Sequence, residues 1–183
     1  MKIIRIGPQD ALPDLAPCFD GLLEFHCGNT PGAPPWRLMK AQCRQESGFN
    51  PLAVSPTGPV GLFQFTRATW AQYSKPGDDR RDVFKESGAA VRMMRDLWQW
   101  AETHGIVGTQ LPRFALGAFN QGQGNLGKAM QWTATQGASP TEWGNIPHAL
   151  VPIIGPGRTE EVINYVNRIM EFWAEYENPG AGA

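Results

Sequence analysis

The sequence predicts an all-α domain with long loops, and three observations carry that reading. Apolar residues recur at helical spacing in segments along the chain. No segment shows the period-two alternation of a half-buried strand. The 21 glycines and 16 prolines, about a fifth of the 183 residues, gather between the periodic segments, where they end helices and build turns.

The elements follow in order. Leu15, Phe19, Leu22, Leu23 and Phe25 predict a helix over 14–27, ended by Gly28. Residues 28–35 form a loop. Pro35 is expected as the first helical residue of a helix over 36–47, because proline is tolerated in the first turn. Gly48, with Pro51 beyond it, stops that helix. Residues 50–61 hold three prolines and two glycines and are expected to be irregular. Thr66 is the expected N-cap of a short helix over 67–73, and 74–79 is loop. A long amphipathic helix over 82–103 carries Val83, Phe84, Ala90, Val91, Met94, Leu97, Trp98 and Ala101 on its expected core face. A short, nearly all-apolar helix over 111–120 reads as buried. Another helix covers 125–135, and 137–150 is expected to be mostly loop. The last helix, over 159–176, starts at Thr159 with Glu160 and Glu161 near its positive end. Its apolar face carries Val162, Val166, Ile169 and Trp173.

Length and charge narrow the function. A chain of this size fits one domain and buries roughly 70% of its unfolded surface, so it needs no staples. Seven tryptophans and 42% apolar residues argue for a packed core. The net charge of −1 lacks the footprint of a nucleic-acid binder, while leaving glycans open as partners. No apolar run approaches the ~18 residues of a membrane span. Ile3, Ile4 and Ile6 are followed by Pro8, Asp10, Pro13 and Asp14, which does not read as a signal peptide, so synthesis in the cytoplasm without one is expected. Cys18, Cys27 and Cys43 are odd in number and read as reduced.

One constellation carries chemistry: Gln45-Glu46-Ser47-Gly48-Phe49-Asn50-Pro51, then Ser55, Thr57, Gly58 and Gly61-Leu62-Phe63-Gln64. Glu46 falls in the last turn of a helix, where the dipole opposes ionisation. Trp36, Phe49 and Phe63 supply apolar neighbours that raise a carboxyl pKa further, as a general acid requires. By position alone, an ordinary solvated acid is the default. The other candidates are weaker. Cys18, His26 and Cys27 match no zinc spacing and read as packed thiols. His104 and His148 are isolated. Trp132 and Trp143 lie in less regular regions, where an aromatic can stack on a sugar but more often packs. Gly122-Gln123-Gly124 follows no strand and is a turn, not a phosphate loop. No metal site and no cofactor are expected.

The pattern Glu-Ser-x-Phe-Asn-Pro-x-Ala-x-Ser-Pro-x-Gly-x-x-Gly-Leu-x-Gln over residues 46–64 resembles the signature of the soluble lytic transglycosylase family, whose fold is goose-lysozyme-like. Ala118-Phe119-Asn120-Gln121-Gly122 resembles its Ala-Tyr-Asn-x-Gly block, and Glu161-Val162-Ile163-Asn164-Tyr165-Val166 its last Glu-Thr-x-x-Tyr-Val block. The likeness runs from about Trp36 to about Trp173. It implies Glu46 as the one catalytic acid/base, Ser55 as the serine that orients that carboxyl or the substrate, and Tyr165 as the tyrosine whose hydroxyl points at it. It implies Gln64 and Asn120 in the sugar groove, with Thr57 where some members have a second hydroxyl. Phe63 replaces a methionine and Phe119 a tyrosine in groove positions, and Val162 replaces a threonine.

The resemblance also implies the reaction: cleavage of the bond from N-acetylmuramic acid to N-acetylglucosamine in peptidoglycan, closing a 1,6-anhydro ring. No Asp or Glu stands between Glu46 and Asp78, so the motif loop holds no second carboxylate of the kind most glycosidases need. Asp78, Asp79 and Asp82 are the rivals for that role and read as a solvated loop and helix start. The alternatives are a muramidase that uses one of them, and a glycan-binding or assembly subunit without catalysis. The expected organisation is an N-terminal extension over 1–34, a catalytic domain over 35–178 and a tail over 179–183. The expected setting is a monomer acting on peptidoglycan strands, released through a holin as a phage endolysin or carried on a virion.

Overall fold

The computed structural model describes residues 13–179. The first part of the expected extension, with its isoleucine cluster, and all but Pro179 of the expected tail lie outside the described residues. Eight α-helices make up the described chain, with no strands among them. Among the described residues, the backbone divides into two compact units, one of residues 13–93 and 171–179, the other of 94–170.

In the first unit, the single helix expected over 14–27 is two pieces. Pro13–Phe19 is a 3-10 helix, and α1 is Asp20–Gly28. Pro17 lies inside the first piece and has no N–H for an α-helical bond. Helix α2 is Trp36–Ser47. Pro35 precedes it as the N-cap, with ψ of 136°, instead of forming its first turn. Gly48 closes α2 in the left-handed region at φ 59° and donates its N–H to Arg44 O at 3.0 Å. Helix α1 packs on α2. Lys40 Nζ pairs with Asp20 at 2.6 Å and lies 4.7 Å from the Tyr176 ring centre. Arg44 pairs with Glu175 and lies over Phe172. These contacts tie α2 to α1 and to the C-terminal end of the chain.

Thr66 caps α3, Arg67–Tyr73, by accepting the Thr69 N–H at 3.1 Å, as the sequence predicts. Helix α4 is Val83–Thr103. Its Ala89, Ala90 and Val91 are fully buried, as are Leu38, Met39, Leu62 and Phe63. Phe84, expected on the core face, is 52% exposed and packs at a tilt against Phe25 and His26. It sits in the first turn, where the apolar stripe has not yet entered the core.

The second unit holds α5 (Leu111–Gln121), α6 (Gln123–Thr135), α7 (Ile146–Ile154) and most of α8 (Pro156–Glu177). Phe114, Leu116, Leu126, Ile146, Leu150, Val166 and Ile169 are fully buried. The expectation of mostly loop over 137–150 is corrected by α7. Pro147 occupies its first turn, where its missing N–H is harmless, and Pro152 falls within so short a helix that few bonds are lost. Helix α8 begins at Pro156, three residues before the expected start, and the Thr159 hydroxyl bonds back to Gly155 O at 2.9 Å.

Candidate active site

The first unit places Glu46 on the inner face of the last turn of α2, with Cys43 and Ser47. Its side chain is buried, at 9% exposure, so the solvated default fails. The chain then turns sharply. Gly48 and Phe49 are both left-handed, Phe49 at φ 65°. A non-glycine residue pays roughly 1–2 kcal/mol there. Burial of the Phe49 ring, stacked on Phe19 at 6.1 Å, offsets it.

The loop that follows is irregular but tightly bonded. Asn50 Oδ1 accepts the Leu52 N–H at 2.9 Å, an Asx turn. Ser55 N–H donates to Pro59 O at 2.8 Å, and Gly61 N–H donates to Ala53 O at 2.9 Å. Bridges Val54–Val60 and Val60–Phe65 fold 53–65 back on itself. Ser55 is buried, and its hydroxyl shares a hydrogen bond of 3.0 Å with exposed Thr57. Gln64, at φ 50°, turns its amide inward and donates to Gly61 O at 2.8 Å and Ala53 O at 3.3 Å. Gln64 thus staples the loop from within. Phe63 is fully buried, which leaves no ring surface for a sugar.

Beneath this loop lies a residue that the sequence reading missed. Glu86, in the first turn of α4, is completely buried. Its Oε2 accepts the Leu62 N–H and its Oε1 the Phe63 N–H, each at 2.8 Å. Burial pushes its carboxyl up to about 8, with the charge of Glu46 adding to the rise and the two N–H donors opposing it. Cys43, pushed well up by burial, also feels both Glu86 and Glu46. A signal was available: Glu86 stands four residues before Ala90 and eight before Met94, in register with the core stripe of α4.

The three acids expected as rivals are engaged elsewhere. Asp78 pairs with Lys85 at 2.8 Å and accepts the Lys75 N–H, and these hold its carboxyl below the usual range. Asp79 accepts the Arg81 N–H. Asp82 caps α4 by accepting from Phe84 and Lys85. Burial raises Cys27 to about 12 and lowers His26, the opposite of an activated thiol pair. Among the described residues, no three of His, Cys, Asp and Glu come together as metal ligands.

In the second unit, Tyr165 is buried and its ring lies parallel to that of Phe119, 6.5 Å between centres and 4° between planes. Asn120 is half-buried, and its Oδ1 accepts from Gln121 at 2.7 Å. Trp143 is a core residue, edge-on to Phe114 at 5.4 Å, while Trp132 is 41% exposed.

Residues 30–141, more than half of the chain, match the family model described as the transglycosylase SLT domain. The chain belongs to this family. Among the relatives of this SLT chain is a membrane-bound lytic murein transglycosylase F of Yersinia enterocolitica, 33% identical over 88% of the chain and 34% of the relative. Another of that description, from Vibrio cholerae, is 31% identical over 75% of the chain and 27% of the relative. The chain spans about a third of the length of the curated relatives it matches. The 70 kDa soluble lytic transglycosylase of Escherichia coli shares the fold, with a TM-score of 0.61 at 21% identity over 86% of this chain and 24% of that one. A complex of the 70 kDa soluble lytic transglycosylase with bulgecin A matches with a TM-score of 0.63 at 21% identity over 87% of this chain and 24% of that one. The SLT fold seen here is all-α and lysozyme-like. Among the described residues, no helix is long and apolar enough to cross a membrane.

Proposed function

We propose that this chain is a peptidoglycan lytic transglycosylase and that Glu46 is its acid and then its base. The observation that carries the reading is a buried carboxyl at the end of α2, opening the signature loop of a chain that belongs to the SLT family. The relatives named for murein transglycosylase activity support the substrate.

The chemistry needs one proton and one carboxyl. Glu46 gives its proton to the glycosidic oxygen as the bond from that oxygen to C1 of the muramic acid breaks. The carbonyl oxygen of the 2-acetamido group stabilises C1. The Glu46 carboxylate then takes the proton of the C6 hydroxyl, and O6 bonds to C1. No water enters, and Glu46 ends protonated as it began. Ser55 and Thr57 serve the carboxyl end of this step from the loop. Asn120, Phe119 and Tyr165 are the second unit's proposed contributions to glycan handling, and Gln64 and Phe63 act by shaping the loop. The site of action is the cell-wall peptidoglycan.

A hydrolytic course would need a second carboxylate about 6.5–9.5 Å from the first to hold water. Asp78, Asp79 and Asp82 are committed to an ion pair, a turn and a cap. Turbidity loss of purified sacculi tests the enzyme against a glycan binder. Glu46→Gln keeps the shape but cannot donate or recover a proton, so lysis should fall by about 10²–10⁴-fold with binding to sacculi retained. Lysis by that variant within about tenfold of wild type removes Glu46 from the reaction.

A further inference from the structure

Glu86 is a carboxyl for which the proposed reaction has no use, in a place where carboxyls are rare. Lys, Glu, Arg and Asp are almost never fully buried without a partner, and this one is wholly inside, with both oxygens spent on consecutive backbone N–H groups. The turn it holds is built around it. Gly61, at φ 86°, sits so close that a Cβ there would overlap both carboxyl oxygens. That turn also fixes the rest of the loop, because Gly61 N–H holds Ala53 O and the Gln64 amide holds Gly61 O and Ala53 O. Ser55 lies between these ties.

The groups facing Glu86 come from each element around it. Helix α2 presents Glu46 and Cys43, and the turn before α4 presents Arg80, which donates to Phe65 O at 3.1 Å. From α1, His26 lies against Gly88 and Phe84, at flanking positions of α4. The only acids in this set are Glu46 and Glu86.

We propose that Glu86 is a positioning residue for the acid/base step: its two carboxyl oxygens clamp the Gly61–Phe63 turn, which holds the Ser55 loop that Glu46 opens. The inference rests on the reading of Glu46 as the acid.

Glu86→Gln mimics the protonated residue in size. One amide oxygen still accepts an N–H, but the amide NH2 faces the other. With uncrosslinked glycan tetrasaccharide from peptidoglycan as substrate, kcat should fall about tenfold or more with KM changed less than about threefold, because the loop is no longer held for the proton transfers. A kcat within about threefold of wild type, or a loss that falls on KM instead, overturns the positioning role.

Hydrogen exchange gives a readout that stands apart from activity. In wild type, the Leu62 and Phe63 amides should be protected from hydrogen exchange, and in Glu86→Gln one of them should exchange about tenfold faster or more. Equal exchange in both proteins overturns the clamp. Should Glu86→Gln fail to fold, wild-type Leu62 and Phe63 amides that exchange as freely as an exposed loop overturn the clamp by themselves. Should wild type prove inactive on glycan, the exchange results still decide the clamp, while the lytic reading alone falls.

Discussion

Gly61 lies directly on the carboxyl of Glu86, with no room between them for even a methyl group. Position 61 is also left-handed, at φ 86°. Gly61→Ala therefore meets two penalties: roughly 1–2 kcal/mol for the backbone, and a further ~1.5–3 kcal/mol as the carboxyl is pushed off its two N–H donors. Urea unfolding should show a loss of roughly 2.5–5 kcal/mol. In a Glu86→Ala background the same change should cost only the backbone part, because nothing remains to be displaced. An equal cost in both backgrounds would mean that the close approach carries no energy.

Glu86 also predicts how stability depends on pH. Its carboxyl is raised from 4.5 to about 8 in the folded protein. Between those values the unfolded chain has released the proton and the folded chain still holds it, so the unfolded state binds fewer protons and stability falls as pH rises. The contribution is complete below the unfolded value and lost by about 8. Glutamine cannot titrate. The unfolding free energy of Glu86→Gln should gain on wild type steadily from pH 5 to pH 8 and level off above. A difference independent of pH would show that the folded carboxyl titrates in the ordinary range.

Much of this was legible because local chemistry decided it. Helix α2 ends where Gly48 supplies a left-handed cap, and α3 starts where the Thr66 hydroxyl takes the Thr69 N–H. The signature over 46–64 located the loop, but not how it is held. Its bonds run from the Gln64 amide to Ala53 and Gly61 and from two backbone N–H groups to Glu86, and such bonds leave no period in a sequence. An acid in a first helical turn is favoured by the dipole and reads as surface, which hides a buried one such as Glu86. Helix α7 contains Pro147 and Pro152, a residue type that breaks most helix interiors, and Pro147 sits harmlessly in its first turn.

Tyr165→Phe separates hydroxyl from ring. The ring is buried and parallel to Phe119, and phenylalanine preserves that packing. If the hydroxyl serves the reaction, kcat/KM should fall by a factor equivalent to roughly 1–3 kcal/mol, with little change in melting temperature. An unchanged rate with a lower melting temperature would assign Tyr165 to packing in the second unit.

The central claim is that one carboxyl, Glu46, performs both proton transfers and that no water is added. Mass spectrometry of the products from purified sacculi tests it most directly. Capture of C1 by the C6 hydroxyl leaves muropeptides ending in 1,6-anhydromuramic acid. These are lighter by one water than hydrolysed ends and inert to borohydride, because they have no reducing terminus. The account predicts such ends as the main product of the wild-type chain. Reducible muramic acid as the main product would contradict it, and would mean that a second carboxylate holds a water at the site.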